Sequence, residues 1–384
     1  AYNYQFALKD PCGYLHNGIY VRQILHHSIV DLGGTPTDIP PDSPGYTAPS
    51  DMFAAVTDQW RLSGHADAAG EPFRHWDEDP APQVVEADCA RCHSSPGYEG
   101  WRVDGTETVE PAPVSTVGCV ACHKQANLYD SADTAWDDLA NTALRPVEFP
   151  STLSADLGDA SNVCMGCHLG RSSGPAVEAA IAADPPPYTF INIHYDPAAA
   201  TFFGSDVEGG VQYRPGGENR GQNTFPAHAG AYDTCIECHM IDGDHTFEPP
   251  ALTNCAPCHG NPPAGWKDQF GGTPGTNYTE IQSLLTDLYA AIQDYATNTI
   301  GTGIFYDSSA YPYFFTEGGP AAFPNRYVLF DATLLRAAYN YQMGQKDPCA
   351  YLHNGIYMRQ LLYDSLDDLD DGTQNDSVAG HSRP

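Results

Sequence analysis

The sequence has no stretch of about 18 consecutive apolar residues, so it offers no membrane-spanning helix. It has no basic-then-apolar start either, so an export leader, if one was made, is expected to have been removed. Basic residues are scarce: 17 Lys plus Arg stand against 49 Asp plus Glu, a net charge of -32. Such a surface repels a phosphate backbone, which argues against a nucleic-acid partner. It favours solubility outside the cell and cationic or metal-containing partners. No strand–helix–strand alternation is visible. Apolar residues make up a modest 41%, and 36 Gly and 32 Pro break up regular elements. Something besides aliphatic side chains is expected to fill part of the interior.

What the chain does have is cysteine in a strict pattern. Ten of its twelve cysteines form five pairs with two residues between them, and a His follows each pair. They are Cys89/Cys92/His93, Cys119/Cys122/His123, Cys164/Cys167/His168, Cys235/Cys238/His239 and Cys255/Cys258/His259. This is the attachment motif of c-type haem. Two thiols three positions apart reach the two vinyl groups on one porphyrin edge, and the adjacent imidazole binds the iron. Zinc ribbons use paired cysteines without requiring a His after each second one. A thioredoxin-like redox pair would need a βαβ setting, which is missing. Five haem c groups are therefore expected. Covalent attachment of this kind places the chain outside the cytoplasm.

Each iron has a second axial position. A His there makes a six-coordinate, low-spin centre suited to electron transfer, whereas an open position would admit a substrate. Ten histidines lie outside the motifs, more than the five required. The candidates are His65 after a helix starting near Asp51, His194 in a strand-like Ile191–Tyr195 run, His228 and His245 on either side of the fourth motif, and His353 at the start of an amphipathic helix. His75 is the reserve, and His381 sits in a polar tail.

The two ends of the chain match. Residues 1–32 align with 338–369 at an offset of 337, with 22 of 32 positions identical. His16 falls on His353 and Cys12 on Cys349, while His26 and His27 fall on Tyr363 and Asp364. The repeat thus has no general need for His26 or His27. A repeat marks a reused structural unit. Both copies read as helical, with Asp10-Pro11 and Asp347-Pro348 as helix-start turns. Two organisations follow. In one, a copy caps each end and His16 serves a haem of a neighbouring subunit. In the other, the chain is one of several five-haem units in a longer polypeptide. Cys12 and Cys349 have no haem role and could form a disulfide within or between subunits.

The layout is an N-terminal helical repeat element (1–32), a five-haem region (33–260), a helical and aromatic region (261–337), the second repeat copy (338–370) and a polar tail (371–384). Tyr278–Thr297 reads as the longest helix, with Ile281, Leu284, Leu285, Leu288, Ala291 and Ile292 on one face. The fold class expected is mostly irregular chain with scattered α-helices and little β structure, organised around a stacked haem chain. Spacings between first cysteines of 30, 45, 71 and 20 residues suggest that the first and second haems, and the fourth and fifth, form close pairs linked by the third.

The stretch from Trp60 to His259 resembles the large multihaem cytochromes of metal-reducing bacteria. The resemblance rests on Ser63–Asp67, Phe73–Asp79, Cys89–Tyr98, Ser161–Arg171, Asn192–Tyr195, Phe202–Ser205 and Asp233–His239, and on the terminal Lys-Asp-Pro-x-x-Tyr-x-His-Asn element. It implies bis-His haems in a row, a secreted or cell-surface location and electron delivery to other redox proteins or external acceptors. It also implies a head-to-tail polymer of the kind formed by cytochrome filaments, some of which borrow an axial His across the subunit junction; that bears on His16 and His353. Where those cytochromes have Gly after Asp-Pro, this chain has Cys12 and Cys349. The alternatives are a non-polymeric periplasmic shuttle and a multihaem reductase with one open haem. The reductase is disfavoured, because every motif ends in His and the acidic charge repels anionic substrates. No catalytic residue is expected.

Overall fold

A computed structural model describes residues 51–106, 108–112, 114–123, 146–224, 232–249, 252–259 and 277–384, together with Leu25, Ser28 and Ile29. The described residues up to Ser63, with Gly243–Thr246, group into a small unit, and the others form a larger one.

The small unit contains helix α1 (Asp51–Trp60), where the sequence places one. Its last turn is closed by the Ser63 hydroxyl, which donates to the Trp60 carbonyl at 2.7 Å.

In the larger unit, Gly and Pro cut the motif-bearing part into short helices. They are α2 (Glu71–Arg74), α3 (Ala87–His93), α4 (Ser95–Asp104), α5 (Cys119–Cys122), α6 (Ser161–Met165), α7 (Gly174–Ala183), α8 (Ala198–Phe203), α9 (Cys235–His239) and α10 (Leu252–His259). Local chemistry starts two of them. Ser94 accepts from the Gly97 N–H at 3.0 Å, and Ser173 from the Ala176 N–H at 3.3 Å, each with Pro in the first turn. Among the described residues, strands occur as three antiparallel pairs: β1 (Val84–Val85) with β2 (Glu110–Pro111), β3 (Val147–Glu148) with β4 (Ser154–Ala155), and β5 (Ile304–Tyr306) with β6 (Phe314–Thr316). The last pair lies in the aromatic 301–330 stretch that reads as irregular. Phe305 stands opposite Phe315 and Tyr306 opposite Phe314, and cross-strand aromatic pairs of this kind stabilise a short hairpin. Helices joined by irregular chain, with little strand, are the fold class expected.

Three long helices follow: α11 (Asn277–Tyr295), α12 (Ala332–Lys346) and α13 (Ala350–Asp371). Helix α11 buries Ile281, Leu284, Leu285, Leu288 and Ile292, the face read from the sequence. Helices α12 and α13 pack against it, and Leu334, Leu335, Ala338, Leu361 and Leu362 belong to the same buried cluster. Each such leucine contributes roughly 1.5–3 kcal/mol by leaving water. An ordinary apolar core therefore exists in this part of the chain, beside any contribution from prosthetic groups. No helix among the described residues is long and apolar enough to cross a membrane.

The second repeat copy spans the end of α12 and most of α13, and its side chains hold the irregular segment 191–223 by its backbone. Gln342 accepts from the Ile193 N–H at 3.2 Å. Tyr339 donates to the Gly209 carbonyl at 3.1 Å, and Asn340 pairs with both the N–H and the C=O of Val211 at 2.8 and 2.9 Å. Gln360 accepts from the Arg220 N–H at 2.8 Å. Irregular backbone must satisfy its polar groups somewhere, and here the repeat supplies the partners. Helix α13 is broken at Asn354, whose φ of −164° and ψ of 76° are extended. The Asn354 amide donates to the Phe202 and Gly221 carbonyls at 3.2 and 2.9 Å, and its oxygen caps the Tyr357 N–H at 3.2 Å. Asn223 donates to the Leu352 and His353 carbonyls that the break leaves without helical partners.

Candidate haem-ligand site

Three of the first four motifs are built alike. Cys89 and Cys92 lie on α3, Cys119 and Cys122 on α5, and Cys235 and Cys238 on α9. An i, i+3 spacing puts both thiols on one helix face. His93 and His239 end their helices, whereas His123 follows α5 in extended conformation. In the third motif α6 stops at Met165, and Cys167 and His168 follow in a turn whose N–H groups both return to the Cys164 carbonyl.

Tertiary packing then brings histidines together across the larger unit. The rings of His93 and His194 have centroids 5.8 Å apart, those of His65 and His168 6.2 Å, and those of His239 and His353 6.4 Å. Two imidazoles bound on opposite sides of one metal, at about 2.0 Å per bond, have centres roughly 6 Å apart. Each pair combines one motif histidine with one histidine from a distant part of the chain.

The other ring nitrogens are engaged in the way metal-binding imidazoles need. A carbonyl can only accept, so Nδ1–H must donate: His93 to the Pro72 carbonyl at 2.9 Å, His168 to that of Asp196 at 3.3 Å and His239 to that of Phe247 at 2.9 Å. This leaves Nε2 of each as the lone-pair nitrogen. His353 is held differently: its Nδ1 lies 2.8 and 2.9 Å from the two carboxylate oxygens of the buried Asp347. Burial, with the neighbouring His168 second, pushes the pKa of His65 down to about 4. Burial, and then His93, pushes His194 down to about 4. Both are therefore neutral near pH 7, the state that binds metal. At His353 burial also acts downward, but the charge and hydrogen bond of Asp347 outweigh it and the pKa is raised.

His194 sits in a left-handed conformation, φ 75°, which is rare for a non-glycine residue. The Asn192 side chain supports it by accepting the His194 N–H at 2.8 Å, while Ile193 is fully buried behind it. The strand-like reading of Ile191–Tyr195 thus gives way to a tight turn. Trp76 lies edge-on to His93, with ring centroids 5.4 Å apart. His75, the reserve ligand, instead meets Glu71 at 2.6 Å on an exposed helix face, and the place opposite His93 is taken by His194.

The third motif is central among the thiols. Cys167 comes within hydrogen-bonding reach of Cys92 of the first motif, and Cys164 within reach of Cys235 of the fourth. The Arg91 guanidinium ties the first to the third by donating to the Gly166 carbonyl at 2.9 Å, and it lies over the Trp101 ring at 3.7 Å. Gly166 has to lack a side chain, because a Cβ there would run into Tyr98 and Trp101. Among the described residues the third motif thus meets the first and the fourth. Closeness along the chain, the basis for expecting the first and second as a pair, does not anticipate the first-to-third and third-to-fourth thiol contacts. Those are set by long-range packing around Tyr98, whose hydroxyl donates to the Val163 carbonyl.

His245 belongs to the small unit. Its N–H donates to Gln59 at 3.2 Å and its Nδ1 to the Gly243 carbonyl at 2.7 Å. His16, His26, His27, His228 and Cys12, and the side chains of Cys255, Cys258 and His259, lie outside the described residues, so the expected Cys12–Cys349 bridge does too. His381 is no loose tail residue: its Nε2 is 2.7 Å from Asp287 on α11. The site features that the motif reading misses are Asp347, Lys346, Asn192 and Gly166. For the first two the signal was the Lys-Asp pair common to both repeat copies.

Paired thiols on helix faces beside imidazoles about 6 Å apart fit haem c. Among curated proteins, the chain is similar to the C-type polyheme cytochrome OmcC of Geobacter sulfurreducens, with 25% identity over 390 residues that cover 85% of this chain and 48% of the relative. It is also similar to the C-type polyheme cytochrome OmcB of two strains of that organism, 31% identical over 256 residues that cover 57% of this chain and 32% of the relative. The chain thus spans half or less of the length of these relatives. No family model and no solved structure matches it. The chain is thus distantly similar to polyhaem c-type cytochromes.

Proposed function

We propose that the chain carries electrons through five covalently attached haem c groups with two axial histidines each, outside the cell or on its surface, as part of a head-to-tail assembly. The observation that carries the reading is the set of three opposed ring pairs at 5.8, 6.2 and 6.4 Å, each joining a motif histidine to a distant one. In this reading the ligand pairs are His93 with His194, His168 with His65, and His239 with His353. The thiol contacts order the electron path as first, third, fourth.

Near-infrared magnetic circular dichroism of the oxidised protein tests ligation, and intact mass counts the haems. Five haems, all low-spin with two histidines, are expected. One high-spin haem would replace the conduit with an enzyme that holds an open iron.

Assembly is supported by the repeat. The side chains of the second copy that hold segment 191–223, namely Tyr339, Asn340, Gln342, Asn354 and Gln360, all recur in the first copy as Tyr2, Asn3, Gln5, Asn17 and Gln23. The first copy thus has the means to dock on the corresponding segment of another unit and to offer His16 there. Negative-stain microscopy is expected to show filaments, and monodisperse single particles would overturn assembly.

A further inference from the structure

Two adjacent residues at the end of α12 carry opposite charges into the interior, each toward a different histidine pair. Asp347 is 2% exposed and places both carboxylate oxygens on His353 Nδ1. The three motif histidines described above donate Nδ1–H to neutral backbone carbonyls instead. Lys346 is 3% exposed, and its ammonium has no hydrogen-bond partner among the described residues. It rests on two aromatic faces, 3.1 Å from the centre of Tyr195 and 3.9 Å from that of Tyr313. Tyr195 follows His194 in sequence and lies edge-on to it, with ring centroids 6.0 Å apart. A cation–π seat of this kind holds a desolvated ammonium, on which the charge of Asp196 also acts.

We propose that Lys346 and Asp347 set the potentials of two haems in opposite directions, Asp347 lowering that of the haem on His239 and His353 and Lys346 raising that of the haem on His93 and His194. The inference rests on the ligand pairs proposed above. The oxidised iron carries one more positive charge than the reduced iron. A buried carboxylate on the ligand N–H makes the imidazole a stronger donor and favours the oxidised form. A buried ammonium nearby favours the reduced form, because charges interact strongly where water is excluded. Each centre gains one electron, taken from an external donor protein and passed to an external acceptor. The two charges therefore bias the electron toward the first haem and away from the fourth.

The test is an anaerobic spectroelectrochemical titration of the haem-loaded full chain. Asp347→Asn keeps an acceptor near Nδ1 and removes the charge. One haem is expected to become about tenfold easier to reduce, a rise of about 59 mV for one electron, and Asp347→Glu is expected to restore the original value. On a His353→Met background the Asp347→Asn shift should shrink, since the hydrogen bond to Nδ1 is gone and only the through-space charge remains. Lys346→Met removes the cation with little change in shape, and a different haem is expected to become several-fold harder to reduce. Haem count and the low-spin spectrum, recorded on every variant, report on the ligand reading separately. Unmoved potentials, or shifts of the same sign in Asp347→Asn and Lys346→Met, overturn the proposal. Loss of one low-spin haem in Asp347→Asn would make Asp347 a structural support and overturn its half. Lys346→Met leaves every ligand in place and decides the other half.

Discussion

Replacing His194 with Ala is expected to turn one haem, and only one, from low-spin to high-spin, with all five still covalently attached. His65→Ala should do the same to a second haem, whereas His75→Ala should leave every haem low-spin. The physical reason is position. His194 and His65 stand 5.8 and 6.2 Å from His93 and His168, with room for one iron between each pair, while His75 is turned to Glu71 on the surface. Attachment survives because it depends on the thiols alone. Electron paramagnetic resonance of the oxidised protein separates the two spin states. A high-spin signal in His75→Ala, or its absence in His194→Ala, would reassign the ligands. The change should also slow electron passage, since a five-coordinate iron takes up water when oxidised and must reorganise at each step.

The second large effect is on stability. Arg214→Met is expected to cost 3–5 kcal/mol, about the loss seen when one partner of a buried ion pair is removed. Arg214 lies 3.2 Å from Asp364 and 3.7 Å from Asp367, carboxylates that are almost wholly buried on α13, and also pairs with Asp376. Arg383 joins from the chain's last residues, 2.7 Å from Asp364. Without Arg214 the two buried acids face each other with one cation fewer. The defect should shrink on acidification. Burial, opposed by Arg383 and Arg214, raises the pKa of Asp364 above its unfolded value. Such a group penalises the folded state above its folded pKa, and the penalty fades as pH falls through that value. Thermal unfolding followed by near-ultraviolet circular dichroism at neutral and mildly acidic pH measures both effects. A variant equally destabilised at both values would place the cost in lost packing instead. The same site explains why the repeat needs no histidine there: Asp364 is the counterpart of His27, and in the second copy the position serves an ion cluster.

What the sequence by itself determined is local. A thiol three positions from a thiol, followed by imidazole, is a complete motif within five residues, so the ten motif cysteines and five motif histidines stand out directly. The apolar face of α11 was legible for the same reason, since Ile281, Leu284, Leu285, Leu288 and Ile292 recur at the helix's own period. The repeat was legible as identity, although not as a set of side chains that satisfy another segment's backbone. Only the tertiary structure decided which motif histidines meet distant histidines at His93, His168 and His239, because each such pair joins remote parts of the chain at a ring spacing of about 6 Å. No periodicity marks it. His75 reads in sequence as a reserve to His65, and in space it meets Glu71 while His65 lies beside His168. The turn at His194 depends on Asn192, and the break at Asn354 on carbonyls of residues 202 and 221. The placing of Lys346 and Asp347 follows from the burial of the α12 end between other segments. Charge, spacing and covalent motif are properties of the chain; opposition, burial and the pairing of thiols from different motifs arise only when distant segments are packed against one another.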